Sequence, residues 1–139
     1  MLGLKYFAPQ IKTITILGTG KISKGLALCA VELGITTINI YSRNVENREK
    51  FKAELSHLPV NIITHDSVVS AVYGASAILT AVPTPEAILF LKDIEPNVFI
   101  SVLGGDSRTT QLDKEIILKA VVVPDNEEQC KKSGEFKKA

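Results

Sequence analysis

Three short groups in this chain hold residue types that can do chemistry: Gly18-Thr19-Gly20, Ser42-Arg43-Asn44 and Gly104-Gly105-Asp106. Each follows an apolar run. Glycines at a strand end let the backbone turn sharply and let an anion approach the main chain. The N–H groups and dipole of a helix that starts there attract a phosphate. Thr13-Ile14-Thr15-Ile16-Leu17 enters the first group, and a helix-period stretch (Ile22, Leu26, Ala30, Leu33) leaves it and ends at Gly34. Ile38-Asn39-Ile40-Tyr41 then leads to Ser42. This strand–helix–strand order is the first unit of a dinucleotide-binding fold, with the pyrophosphate on the glycine turn. Ser23 takes the place of the third glycine, and Gly25 follows two residues later.

The end of the second strand reads the nucleotide. Units that bind NAD usually place an acid about 20 residues past the glycines, on the ribose hydroxyls. Here Ser42, Arg43 and Asn44 stand there, with no acid before Glu46. A carboxylate would repel a 2′-phosphate, whereas a guanidinium pairs with it and a hydroxyl donates to it. The reading is NADP(H) over NAD(H), against the plainer role of Arg43 as a solvated charge.

Strands and helices must alternate to bring these groups to one rim. The pattern predicts strands at Asn61–His65, Ala77–Val82, Val98–Leu103 and Ala120–Pro124 after the first two. It predicts helices at Val45–Ser56, Val68–Tyr73, Glu86–Leu91 and Asp113–Lys119, with Asp66 or Ser67 as a cap and a helical start to the tail. Phe51 and Leu55 are placed inward, and the charged run Glu46 to Glu54 is taken as a wet face. The expected fold is α/β: a Rossmann-like, doubly wound, mostly parallel six-stranded sheet in three layers, ordered 3-2-1-4-5-6. Ligands of such sheets sit outside the carboxyl ends of the strands.

Composition narrows the function further. The chain has 139 residues, which fits one domain, and its 45% hydrophobic content supports a well-buried, mainly aliphatic core. A net charge of +1 gives no electrostatic support to a nucleic-acid or membrane-surface role. No apolar run approaches the ~20 residues of a membrane span. The first residues have no basic leader or long apolar stretch, so no secretory signal is expected. Cys29 and Cys130 form no close pair, which makes a reduced, cytoplasmic setting the default. Cys29 is placed on the inner face of the first long helix.

The other candidates each have two readings. Asp106 is a proton-handling acid or a turn residue in Gly-Gly-Asp-Ser. His65 touches an adenine or is a loop histidine, and His57 meets the carbonyls of a helix end. Neither has a second ligand at metal spacing, so no metal site is expected. Ser23 and Ser107 have no evident base, so no nucleophilic hydrolase is supported. Lys21 supports a phosphate or is solvated. Thr84 bonds a ribose hydroxyl or caps the next helix.

With these motifs in hand, the chain resembles the NAD(P)-binding domain of the ornithine cyclodeaminase/mu-crystallin family over about Lys5 to Phe136. Lys5-Tyr6-Phe7-Ala8 is similar to the K-Y-L-A that closes the family's linking helix. Ile16-Leu17-Gly18-Thr19-Gly20 is similar to its I-G-T-G, and Ile40-Tyr41-Ser42-Arg43 to its second strand. Leu79-Thr80-Ala81-Val82-Pro83-Thr84 is similar to V-T-A-T-P-S, and Leu103-Gly104-Gly105-Asp106 to G-G-D. Leu112-Asp113-Lys114-Glu115-Ile116 is similar to E-L-D-P-E. Val122-Val123-Pro124-Asp125-Asn126-Glu127-Glu128-Gln129 with Gly134-Glu135 is similar to V-V-D-x-x-E-Q and a later G-E.

The resemblance implies hydride transfer between a nicotinamide and an amino-acid or imine carbon, as in alanine dehydrogenases and ketimine reductases. It implies Gly18, Thr19, Gly20 and Ile22 at the pyrophosphate, and Ser42, Arg43 and Asn44 at the adenosine ribose or its phosphate. Ala81, Val82 and Pro83 would line the nicotinamide ribose, with Leu103 and Gly104 near the ring and Asp106 at the substrate edge. Departures stand at Ile22-Ser23 and at Ser107-Arg108-Thr109-Thr110. The family's substrate and dimer domain is not in this sequence, so the expectation is a homodimer as the full-length protein and no turnover by this chain alone. The rival readings are ornithine cyclodeaminase proper with bound NAD, a non-catalytic NADP-binding or sensor module, and a shikimate dehydrogenase relative.

Overall fold

Five parallel strands lie side by side in the order β3-β2-β1-β4-β5. The computed structural model describes residues 1–104 and 106–138. β1 (Thr13–Leu17) is followed by α2 (Lys21–Glu32), β2 (Thr37–Tyr41), α3 (Val45–Glu54) and β3 (Asn61–His65). A short α4 (Val68–Val72) leads to β4 (Ala77–Thr80), a 3-10 turn (Leu91–Asp93) and β5 (Phe99–Val102). Before β1 lies α1 (Leu2–Phe7), and after β5 come α5 (Lys114–Lys119), α6 (Glu127–Cys130) and α7 (Gly134–Lys138). The order reverses at β1, between β2 and β4, so the ligand-binding switch point of such sheets falls beside Gly18.

Parallel strands covered on both faces are apolar on both, and β1 is buried from Ile14 through Leu17. Ile14, Ile16, Ile38, Ile40 and Ile62 face one layer and pack on Leu26, Ala27 and Ala30 of α2, on Phe51 of α3 and on Leu55 at the end of that helix. Leu17 and Ile78 face the other layer, with Ala71 and Val72 of α4 and with Leu89, Leu112 and Ile116. Ser67 caps α4, its hydroxyl accepting from the Ser70 N–H at 3.1 Å.

Four expectations are corrected. Ala120–Pro124 is not a strand, and the described residues form a five-stranded sheet. Val121 is 94% and Val123 66% exposed. β-branched residues suit a strand only where a ladder partner and a buried face exist, and this segment leaves α5 straight into solvent. Glu86–Leu91 is not a helix either. The Ile88 and Leu89 N–H groups donate to the Gln111 carbonyl at 3.0 and 3.2 Å, and Leu89 bridges Leu112. Those donors are therefore spent on a neighbouring loop and not on an i−4 ladder.

The inward stripe of α2 runs through Ser23, Leu26, Ala27 and Ala30, so Leu26 and Ala30 face inward as predicted while Ser23 and Ala27 stand in it in place of Ile22 and Leu33. Ile22, Leu33 and Cys29 are exposed in consequence. The wet face of α3 has one buried member, because Arg48 turns inward and donates from Nη1 to the Ser42 carbonyl at 2.6 Å.

Candidate functional site

A cleft of about 590 Å³ opens across the carboxyl ends of β1, β2 and β4. Its floor is the turn after β1. Gly18 has φ +110°, and a Cβ there would lie 2.8 Å from the Ala81 carbonyl oxygen. Only a glycine lets the ends of β1 and β4 come this close. A Cβ on Gly20 would meet nothing within 4 Å, so the space in front of this turn is open. Gly20 begins α2 in an extended conformation, with no side chain capping the helix and no acid in its first turn. The first N–H groups of α2 thus keep their donors and their positive end for another acceptor.

Ser42, Arg43 and Tyr41 form the wall from β2. Arg48 holds the Ser42 carbonyl from behind, so the tip of the second strand is tied to α3. Asn44 caps α3, its side chain accepting from the Asn47 N–H at 3.1 Å. From α3 itself Asn47, Lys50 and Phe51 join the lining, and Lys24 joins it from α2. Glu54 pairs with Lys24 and lies 3.9 Å from Lys50. The Lys24 hydrogen bond, helped by the charges of Lys24 and Lys50, lowers the Glu54 pKa against the opposing effect of desolvation. The opposite wall is Ala81, Val82, Pro83 and Thr84.

The cleft therefore brings together Gly18, Thr19, Gly20, Ser42, Arg43, Ala81, Val82 and Pro83 among the expected binding residues. Lys21, Ile22, Asn44, Leu103 and Gly104 stand beside the lining and not in it. Leu103 continues β5 by donating to the Thr80 carbonyl at 2.9 Å, and Gly104 turns the chain with φ +86°. Gly105 of that motif lies outside the described residues. Thr84 makes a local turn, its hydroxyl bonding the backbone of Glu86. His65 is the last residue of β3 and hydrogen-bonds Asn39 across the β2–β3 pair at 2.8 Å, so it is a strand residue and not a loop histidine. Among the described residues no group of three His, Cys, Asp or Glu side chains could hold a metal ion.

Asp106 is exposed, and its carboxylate turns onto its own loop. Oδ1 accepts from the Arg108 N–H at 2.7 Å and the Thr109 N–H at 2.9 Å. The Arg108 backbone N–H, first, and the bonds from Thr109 hold its pKa below the usual carboxylate value. The group is thus an anion and a hydrogen-bond acceptor at neutral pH.

Sequence reasoning missed a buried polar seam at this rim. Gln111 is fully buried, and its Oε1 accepts from the Thr80 hydroxyl and the Val82 N–H, both at 2.7 Å. Its Nε2 donates to the Leu103 carbonyl at 2.9 Å. Its own N–H donates to the buried Glu135 carboxylate at 2.7 Å. Gly134 packs so tightly that a Cβ would lie 1.9 Å from the Thr109 carbonyl oxygen. The signal for this seam was present as Gly134-Glu135, but nothing local linked that pair to Gln111.

An open parallel sheet of this order, with a glycine turn at its switch point, defines the Rossmann-like class of dinucleotide-binding folds. The model of the ornithine cyclodeaminase/mu-crystallin family matches residues 1–139, and the chain belongs to that family. It is 30% identical over 125 residues to an ornithine cyclodeaminase of Agrobacterium tumefaciens (strain Ach5), covering 86% of this chain and 35% of that protein. It is 28% identical over 130 residues to the ketimine reductase mu-crystallin of Rattus norvegicus, covering 91% of this chain and 41% of that protein. The fold matches Δ1-pyrroline-2-carboxylate reductase of Thermococcus litoralis, solved with NADH and L-proline, at a TM-score of 0.88 and 22% identity. That match covers 97% of this chain and 44% of the other. The chain thus spans less than half the length of these relatives.

Proposed function

We propose that residues 1–139 form one unit that holds a nicotinamide dinucleotide, NADP(H) in preference to NAD(H), for an oxidoreductase acting on an amino acid or its imine. The observation that carries this reading is the shared cleft: an uncapped α2 start behind Gly18-Thr19-Gly20, and Arg43 and Lys50 at the β2 end with no acid at positions 42–44. Such a cofactor, when bound, supplies hydride transfer between its nicotinamide and the substrate's α-carbon.

The chain's own residues then have separate tasks. Gly18, Thr19 and Gly20 admit the pyrophosphate to the backbone, with the N–H groups of Lys21 and Ile22 facing it. Ser42, Arg43 and Asn44 take the adenosine ribose and its 2′-phosphate, and Lys50 adds charge to the same wall. Ala81, Val82 and Pro83 line the nicotinamide ribose, and Leu103 and Gly104 bound the ring. Asp106, held as an anion, orients a cationic amine or a water at the substrate edge. The family membership and the names of the relatives support the amino-acid or imine substrate class. A homodimer for the whole protein is in keeping with an archaeal alanine dehydrogenase of the same fold, solved as a dimer.

A second reading is a nucleotide-binding module without turnover. The Asp106 carboxylate, already bonded within its own loop, favours it. Asp106→Asn in the whole protein separates the two: lost turnover with dinucleotide affinity kept supports the enzyme. The binding claim is tested by retention of the chain on immobilised 2′,5′-ADP. Release by NADP+ but not by an equal concentration of NAD+ supports it. Failure to be retained contradicts it.

A further inference from the structure

Gln111 stands where the sheet should gain another rung. Parallel ladders have evenly spaced slanted bonds. The Leu103 N–H donates to the Thr80 carbonyl at 2.9 Å. The next rung in that pattern would run from the Val82 N–H to the Leu103 carbonyl. It does not form. The Val82 N–H goes to Gln111 Oε1 at 2.7 Å, and the Leu103 carbonyl takes Gln111 Nε2 at 2.9 Å. A side-chain amide has therefore entered between β4 and β5 and satisfied both orphaned backbone groups, one with each end.

The partners also fix which way the amide lies. A backbone N–H can only donate and a carbonyl can only accept, so oxygen must face Val82 and nitrogen Leu103. The Thr80 hydroxyl, buried on the same side, adds a second donor to Oε1. Behind the amide, the Gln111 N–H is held by Glu135, and the Gln111 carbonyl accepts from Ile88 and Leu89. The wedge is thus anchored to the loop after β4, the loop after β5 and the C-terminal helix.

We infer that Gln111 is a positioning residue, an amide wedge that keeps the tips of β4 and β5 apart and so opens the crevice where the nicotinamide end of a dinucleotide lies. This rests on the dinucleotide reading for the ligand, but the wedge itself is a property of the strands. Gln111 lies outside the cleft lining at the adenosine end, formed by Ser42, Arg43 and Lys50. Its loss therefore affects one end of the site.

Two measurements on this chain test the inference. Through-hydrogen-bond NMR coupling in the unaltered chain is expected to join the Val82 amide to the Gln111 side chain. A coupling to the Leu103 carbonyl in its place would overturn the wedge without any variant. In Gln111→Ala the coupling should move to Leu103 as the rung closes, and a Val82 amide left fast-exchanging and uncoupled would count against it. The second measurement compares ligands. Gln111→Ala should weaken NADPH by about tenfold or more while 2′,5′-ADP stays within about twofold, as expected if one buried hydrogen-bonded contact region is lost. Equal weakening of both ligands, or of neither, would overturn the positioning role. Absence of NADPH binding by the unaltered chain would instead sink the dinucleotide reading, and the NMR coupling would still decide whether Gln111 holds the strands apart.

Discussion

In the proposed function, Arg43 is the residue that decides between NADP(H) and NAD(H). It sits exposed in the cleft wall at the end of β2, with Lys50 on the same wall. A guanidinium–phosphate pair is a charge-assisted contact worth about 1.5–3 kcal/mol. Arg43→Ala should therefore weaken NADPH by about tenfold or more and leave NADH within about twofold, read by titration of each ligand. Arg43 was legible in the sequence because a missing acid is itself a signal at that position. Lys24, Asn47 and Lys50 were not, because only the packing of α2 and α3 brings them to the cleft. Gln111 was hidden for another reason: a buried amide in a polar loop looks the same in sequence as a solvated one.

Asp106 carries a pH dependence of known sign. Its pKa is depressed in the folded loop, chiefly by the Arg108 N–H. A depressed carboxylate favours the ordered loop at pH above its unfolded value. That contribution is lost as pH falls through the lower, folded value. The Arg108 and Thr109 amide resonances should therefore be constant at neutral pH and titrate on acidification, with a midpoint below the ordinary aspartate value of about 3.9. A midpoint at or above that value would show that the carboxylate is not held by its loop.

The elements place these residues through a few close contacts. The turn after β1 depends on Gly18, whose φ of +110° and 2.8 Å approach to Ala81 leave no room for a side chain. Gly18→Ala should cost about 1–3 kcal/mol of stability, measured by denaturant unfolding, and should abolish retention on 2′,5′-ADP. Unchanged stability would mean that the β1 and β4 ends are not pressed together. Strands β1 to β5 were legible because each is a short apolar run between turn signals. The failures were physical. Val121, Val122 and Val123 have strand-like composition but no ladder partner. Glu86 to Leu91 was read as a short helix after the stop at Pro83-Thr84-Pro85, yet the Ile88 and Leu89 N–H groups bond Gln111 across a loop. In the inward stripe of α2, Leu26 and Ala30 were read correctly, but Ile22 and Leu33 were not, because the buried Ser23 and Ala27 are less conspicuous.

Taken as one molecule, the chain gathers its chemistry at a single rim. The sheet reverses at β1, and the glycine turn, the cationic wall, the β4 tip and the Gln111 seam all stand near its carboxyl ends. Of the expected order 3-2-1-4-5-6, the first five strands stand as read, and that much was legible because the glycine turn after β1 marks a dinucleotide-binding unit in an alternating chain. The C-terminal tie was not, because Glu135 and Gln111 meet only in the folded chain. With a net charge of only +1, attraction for a multiply charged nucleotide must come from local groups and not from a general field. The central claim is that this rim holds a phosphate-bearing nicotinamide dinucleotide. Calorimetric titration of the chain with NADPH and with NADH, side by side, tests it most directly. NADPH should bind at least about tenfold tighter, roughly 1.4 kcal/mol. Equal affinities, a preference for NADH, or binding of neither would contradict it.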